Sequence, residues 1–230
     1  MSVNPFYILC DASSSMSTED VQAMNDGIAE VIELLTSDPI WNAKVRISIV
    51  TYSDNAEVLV PITAISNFTH LPLITIQSST AQFGNLFRFM KFLLARDCRA
   101  LSASYSKVMR PIVLHISKGR PSDERWLQYF ERMIDKNFAF RPNIVSYGVR
   151  GADKQVLASI AYSGRSTNFL VMAEDANLSQ AMMEIVRIGY STDDLAPDDG
   201  EESKPTMEIP AGLKWNGDIV LDDLNSFGTD

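Results

Sequence analysis

The stretch Phe6-Tyr7-Ile8-Leu9-Cys10-Asp11-Ala12-Ser13-Ser14-Ser15-Met16 decides how this chain folds. Five consecutive apolar residues are too few for a buried helix and read as a strand covered on both faces. One carboxylate and three hydroxyls follow on a single turn. From Thr18 onward Val21, Met24, Ile28, Val31, Ile32 and Leu35 recur at helical spacing, with acidic residues opposite. Strand, oxygen-rich turn and helix form the repeating unit of parallel α/β sheets, which bind ligands at the carboxyl ends of their strands.

Working outward, short β-branched runs alternate with longer periodic ones across most of the 230 residues. Strands are expected at residues 6–10, 45–52, 57–61, 112–116, 144–149 and 168–172. Helices are expected at 18–35, 84–95 with an extension toward 107, 124–136, 154–162 and 178–188. Ser53-Asp54-Asn55-Ala56 separates two strand runs and reads as a hairpin, which makes one edge strand antiparallel. The fold class is therefore α/β, a Rossmann-like, mostly parallel central sheet of about six strands with helices on both faces.

Charge divides the chain into domains. Of 29 acidic and 20 basic side chains, 11 acidic and 2 basic lie in residues 191–230, so residues 1–190 are neutral and the net charge of −9 belongs to the C-terminal part. A neutral globule with an acidic extension has no attraction for phosphate backbones or anionic lipid, which excludes nucleic acid and membrane surfaces as expected partners. Residues 1–190 read as one domain, 191–206 as a solvated acidic linker. Residues 207–230 form an apolar and acidic segment, with Trp215 and Ile219-Val220-Leu221, that is expected to pack back on the domain, the alternative being a short motif that folds on a partner. Cys10 and Cys98 sit in a strand and a helix respectively and read as free thiols. With no basic, apolar leader at the start, they point to a reducing cytoplasm.

Asp-x-Ser-x-Ser-Met at residues 11–16 resembles the metal-ion-dependent adhesion site of von Willebrand factor type A domains, whose loop holds Mg²⁺ through carboxylate and hydroxyl oxygens. Mg²⁺ takes about six oxygens in octahedral geometry, with Mn²⁺ or Ca²⁺ as substitutes, and serines at i and i+2 on a turn suit two of those positions. The resemblance implies metal ligation by Asp11, Ser13 and Ser15. The bland alternative is that Ser13, Ser15 or Ser17 caps the helix starting at Thr18. A second family element, a threonine in a loop before a later helix, is matched by Thr80 in Gln77-Ser78-Ser79-Thr80, where Ser78 and Ser79 replace the usual glycines; a cap or turn hydroxyl is the alternative there.

The third element departs from the pattern. Where the family has Thr-Asp-Gly-x-Pro after its fourth strand, this chain has Ser117-Lys118-Gly119-Arg120-Pro121, and Lys118 stands in the place of the aspartate. Exchanging −1 for +1 beside a dication is costly, since like unit charges 4 Å apart repel by about 4 kcal/mol at an effective dielectric near 20. Metal binding is expected to be weak or replaced by the Lys118 ammonium, which would neutralise Asp11 or receive a partner's acid.

Beyond the motif, the chain is similar to the bacterial von Willebrand type A proteins of the tellurium-resistance and stress group over residues 3 to about 185. The similarity runs through Val21-Gln22-Ala23-Met24-Asn25-Asp26-Gly27-Ile28, Ser37-Asp38-Pro39, Ile47-Ser48-Ile49-Val50-Thr51-Tyr52 and Arg120-Pro121-Ser122-Asp123 with Trp126. It implies a non-enzymatic protein–protein interaction module that docks a partner offering a carboxylate, often encoded near kinases or phosphatases. The competing expectation is phospho-aspartate chemistry, with Asp11 as nucleophile and Thr80 and Lys118 holding phosphoryl oxygens. That chemistry lacks a general acid, because Ser13 stands where such phosphatases have a second Asp. His115 reads as a core histidine, and His70 has no metal-spaced partner.

Overall fold

Alternation along β1 (Ser2–Asp11) sorts the molecule into two layers. Phe6, Ile8 and Cys10 face one apolar cluster, and Tyr7 and Leu9 face the other. The computed structural model describes residues 2–68, 70–162, 169–173, 178 and 180. Helix α1 (Thr18–Ser37) covers the first side with Val21, Met24, Ile28, Val31, Ile32 and Leu35, the stripe its sequence shows. The second side is covered by α3 (Phe83–Ser102) and α4 (Trp126–Ile134), with Ile160 of α5 (Lys154–Ile160) beside them.

The remaining strands are β2 (Val45–Tyr52), β3 (Ala56–Ala64), β4 (Lys107–Val108), β5 (Ile112–Ser117), β6 (Asn143–Gly148) and β7 (Phe169–Met172), and a short helix α2 (Pro39–Lys44) leads into β2. The sheet has seven strands, in the order β3-β2-β1-β5-β6-β7, with β4 also paired to β1. All pairings are parallel except β2 with β3, so the expected antiparallel hairpin edge is present.

Apart from the helix expected at 178–188, the expected elements are found, with shifted bounds and two additions. Helix α3 stops at Ser102 rather than running toward 107, because Lys107 and Val108 pair with Ser2 and Val3 and draw β1 back to Ser2. The short α2 follows from Asp38, whose side chain caps it at Ile40 and Trp41, and from Pro39 at its first position. Tyr162, expected in the last turn of α5, instead forms an antiparallel bridge with Ile144. Of the helix expected at 178–188 only Leu178 and Gln180 are described, and the linker 191–206 and segment 207–230 lie outside the described residues. Among the described residues no helix is long and apolar enough to cross a membrane.

Two loops at the carboxyl ends of the strands are stitched together by side chains. The N-cap of α3, Gln82, makes no side-chain cap bond, and Asp123 from the loop after β5 accepts from the amides of Phe83 and Gly84, both at 2.8 Å. Beside it the Ser122 hydroxyl accepts from the Ala81 amide at 3.0 Å, and the Ser122 amide donates to the Ala81 carbonyl at 2.9 Å. Ser122 and Asp123 thus serve as a cap delivered from another part of the chain. Helix α4 accordingly starts at Trp126 rather than 124. Asp123→Ala is expected to destabilise the protein by about 1–2 kcal/mol, the usual cost of a lost cap. A urea melt would read this as a lower midpoint with unchanged slope, and Asp123→Asn is expected to lose less.

Candidate functional site

Strands β2, β1 and β5 end side by side, with Asp11 paired to Tyr52 and Cys10 to Ile116, so Asp11, Ser53 and Ser117 begin three adjacent loops. This is the point where chain order reverses, β1 sending its neighbours to opposite sides, and it is where open α/β sheets place their ligands.

Asp11 is fully buried there. Its Oδ1 accepts from the Ser13 amide at 3.0 Å and the Ser13 hydroxyl at 2.6 Å, and its Oδ2 accepts from the Ser117 hydroxyl at 2.8 Å. The Lys118 amide donates to it as well. Burial pushes the Asp11 carboxyl above the usual carboxylate range, against the pull of these donors. The Ser13 hydroxyl is also 2.8 Å from that of Ser15, which is half-buried and forms the outer end of the relay. Ser17, not Ser13 or Ser15, is the N-cap of α1, in a capping box with Asp20. The capping alternative is thereby confined to Ser17.

The loop bearing Thr80 lies against this turn. Ser13 and Ser78 form a parallel bridge, the Ser14 amide donates to the Ser78 carbonyl at 2.8 Å, and the Gln77 amide donates to the Ala12 carbonyl at 2.8 Å. The Thr80 hydroxyl itself donates to Asp54, in the turn between β2 and β3. Hydrogen bonds from Thr80 and Ser78 hold the Asp54 carboxyl below the usual range. The two loops meet, but the threonine turns to a different carboxylate.

Lys118 behaves similarly. Its amide serves Asp11, whereas its ammonium pairs with Asp20 on α1 at 2.8 Å, the two side chains being 15% and 12% exposed. The expectation that the ammonium would neutralise Asp11 is corrected by this geometry: Asp11 is satisfied by N–H and O–H donors, and Asp20, reached across the rim, takes the ion pair. Burial acts to raise the Asp20 carboxyl, but hydrogen bonds from Lys118 and Ser17, with the Lys118 charge, bring it below the usual range.

Ser117, Asp20 and Asp54 are rim residues that reading the sequence did not single out. Asp20 and Asp54 carried a local signal, an acid three residues after a cap and an acid in a turn, but nothing in the sequence tells that Lys118 and Thr80 would reach them. The fit to Mg²⁺ is incomplete. The Ser13 and Ser15 oxygens are 2.8 Å apart, close to the separation of about 2.9 Å between adjacent ligands on an octahedral ion with bonds of about 2.05 Å. Against this, the one central carboxylate is occupied by internal donors, Thr80 is turned away, and a cation stands on the rim. Among the described residues no group of three or more His, Cys, Asp or Glu side chains converges as a metal cage.

Residues 6–184 match the model of the von Willebrand factor type A domain. The chain belongs to this family. Among solved structures, the type A domain of SpRpn10 is similar with a TM-score of 0.53 and 18% identity, over 79% of this chain and 95% of that one. The conserved hypothetical protein BatB from Bacteroides thetaiotaomicron gives 0.54 and 15% identity over 83% of this chain and 100% of that one. Proximal thread matrix protein 1 from the mussel byssus gives 0.54 and 15% identity, over 80% of this chain and 47% of that one, so the chain spans about half the mussel protein's length. At these identities the likeness concerns the fold. No curated protein matches in sequence. The seven-stranded, mostly parallel sheet is the von Willebrand type A fold, in a family whose members generally mediate protein–protein contacts and often bind a divalent metal.

Beneath the rim of this type A domain the polar groups continue inward. Tyr52 hydrogen-bonds Ser117 and lies 2.6 Å from Nε2 of His115, which is fully buried against the rings of Phe83 and Phe87. Burial lowers the His115 pKa to about 3. A histidine with a depressed folded value stabilises the fold above its unfolded pKa of about 6.5, and that contribution is lost as pH falls toward 3. Between pH 6.5 and 5 the protein is therefore expected to lose about 1.7 kcal/mol relative to His115→Gln, the slope rising toward about 1.36 kcal/mol per pH unit once the unfolded histidine is fully protonated. Paired denaturant melts of the two proteins at these pH values read the difference; parallel curves would refute it.

Proposed function

We propose that this von Willebrand type A domain is a non-enzymatic interaction module that docks an acidic side chain of a protein partner at the rim formed by Asp11, Ser13, Ser15 and Lys118. Lys118 supplies the positive charge that a strongly held Mg²⁺ supplies elsewhere in the family. The observation that carries this reading is the position of Lys118. A largely buried ammonium, anchored to Asp20, occupies the loop after β5 where the family pattern has a metal-directed aspartate. An incoming carboxylate would meet that ammonium and the half-buried Ser15 hydroxyl, both held in place before it arrives.

The same pairings favour binding over phosphoryl chemistry. The Asp11 oxygens needed for nucleophilic attack already accept hydrogen bonds, and Thr80 and Lys118 point to Asp54 and Asp20 rather than to a shared phosphoryl position. Two buried free thiols support our assignment of the protein to a reducing cytoplasm. The motifs similar to the bacterial tellurium-resistance and stress group lead us to place the chain in that subgroup.

Thermal melts of chelator-stripped protein test the metal half of the reading. Wild type is expected to ignore millimolar Mg²⁺ and Mn²⁺, whereas Lys118→Asp is expected to gain several degrees. An ion at about 100 times its dissociation constant adds about 2.7 kcal/mol, and each kcal/mol is worth about 2–4 °C in a domain of this size. A rise in the wild type would show a working metal site instead. For the docking half, acetate serves as a probe carboxylate. Titrating it is expected to shift the Ser15 and Lys118 amide resonances, unaffected by EDTA and abolished in Lys118→Met; no shift, or one that EDTA removes, would refute it.

A further inference from the structure

The two long helices on opposite faces of the sheet carry opposite charge. Helix α1 has Glu19, Asp20, Asp26, Glu30 and Glu33 and no lysine or arginine. The outer face of α3 presents Arg88, Phe92, Arg96 and Arg99 in one exposed stripe, with Phe92 64% exposed. Lys91 flanks the stripe over the ring of Phe138 at 5.3 Å, and Arg99 lies over Phe140 at 5.6 Å. Rings hold these cations in fixed places, yet among the described residues only Arg96 of the four basic side chains has a carboxylate at ion-pair distance, Asp97 at 2.7 Å. A neutral domain thus concentrates uncompensated positive charge around one exposed aromatic ring.

We infer that this face is the docking surface for the acidic segment 193–202 of the same chain. That segment contains Asp193, Asp194, Asp198, Asp199, Glu201 and Glu202, no basic residue, and one sizeable apolar side chain, Leu195, suited to Phe92. The complement is one of charge and of order, acids on both sides of an apolar group against cations on both sides of a ring. Reach allows it: with the residues to 188 helical at about 1.5 Å each, as their spacing suggests, and the next five extended at about 3.3 Å each, the chain from Gln180 to Asp193 spans about 28 Å, against a radius of gyration near 16 Å for a domain of about 190 residues. Tethering gives the segment an effective concentration in the millimolar range, which favours it over a free polyanion. The rim at Asp11 takes no part in this contact.

The test uses the full chain and a glutamate-specific protease that cuts after Glu201 and Glu202. At about 50 mM salt the wild type is expected to be cut there about fivefold more slowly than Arg88→Glu/Arg99→Glu, with the difference gone at about 0.5 M, where the Debye length falls to a few ångströms. Matching melts of the two proteins control for folding. Adding Asp194→Lys/Asp198→Lys to the charge-reversed variant is expected to restore slow cleavage. Carbodiimide cross-linking of a mixture of isotope-labelled and unlabelled protein is expected to join Lys91 to residues 193–202 within one molecule. Equal cleavage rates, failure of the charge swap, or cross-links only between molecules would overturn the inference.

Discussion

Much of this molecule's rim follows from burying one carboxylate. An ionised group taken fully out of water costs several kcal/mol unless hydrogen bonds replace its hydration, and Asp11 is fully buried at the end of the central strand. Ser13 supplies two donors from the same turn; the Ser117 hydroxyl and the Lys118 amide supply the rest from the neighbouring strand end. Because Ser117 spends its proton on Asp11, its oxygen is free to accept from the Gly119 amide at 2.9 Å. That bond folds the chain back through a positive φ of 65° at Gly119, where a Cβ would strike the Asp153 carbonyl and Leu157 at 2.9 Å. A single buried charge thus dictates the turn after β1, the turn after β5 and the packing of α5 against that turn.

The network also explains why the core tolerates a tyrosine and a histidine. Tyr52 sits in register with Asp11, and both burial and the Asp11 charge push its hydroxyl well above its ordinary pKa, so it stays a neutral donor and acceptor. It can then join Ser117 at the rim to His115 among the aromatic rings. The polar chain running from Ser15 through Ser13, Asp11, Ser117 and Tyr52 to His115 couples the geometry of the surface turn to the packing of the second core. Rigidity of the rim is bought with pH sensitivity of the interior.

The fold was legible in the sequence because its signals are local and periodic. An apolar run, an oxygen-rich turn and a helical stripe define the central unit, and β-branched runs at regular spacing define the rest. The bounds moved where long-range pairing outweighed local preference. Lys107 and Val108 form a strand by pairing with the parallel edge that Ser2 and Val3 offer, and Asp123, just ahead of the helix expected at 124–136, caps α3 instead. The candidate site was legible to the same degree. Asp11, Ser13 and Ser15 share one turn, so spacing alone brings them together; the threonine loop beside them is an element of the family resemblance that spacing alone does not place. What spacing does not encode is where a side chain from another loop points. Thr80 and Lys118 each found a nearer or better placed acid, Asp54 and Asp20, that belongs to a different element.

That choice of partner shapes what a docking rim of this kind can do. A divalent ion offers two charges and an open coordination position, whereas an ammonium already paired with Asp20 offers part of one charge. On the proposed reading, a partner's carboxylate would share Lys118 with Asp20, and the net attraction would be correspondingly modest and screened by salt over about 8 Å at physiological ionic strength. Orientation is gained in exchange. The ammonium, the Ser15 hydroxyl and the strand ends behind them are fixed by internal hydrogen bonds before contact, so little ordering is left to occur on binding. Affinity on this reading must come from the shape of the surrounding loops, and the charged contact serves to select an acid at one position and to reject a base there.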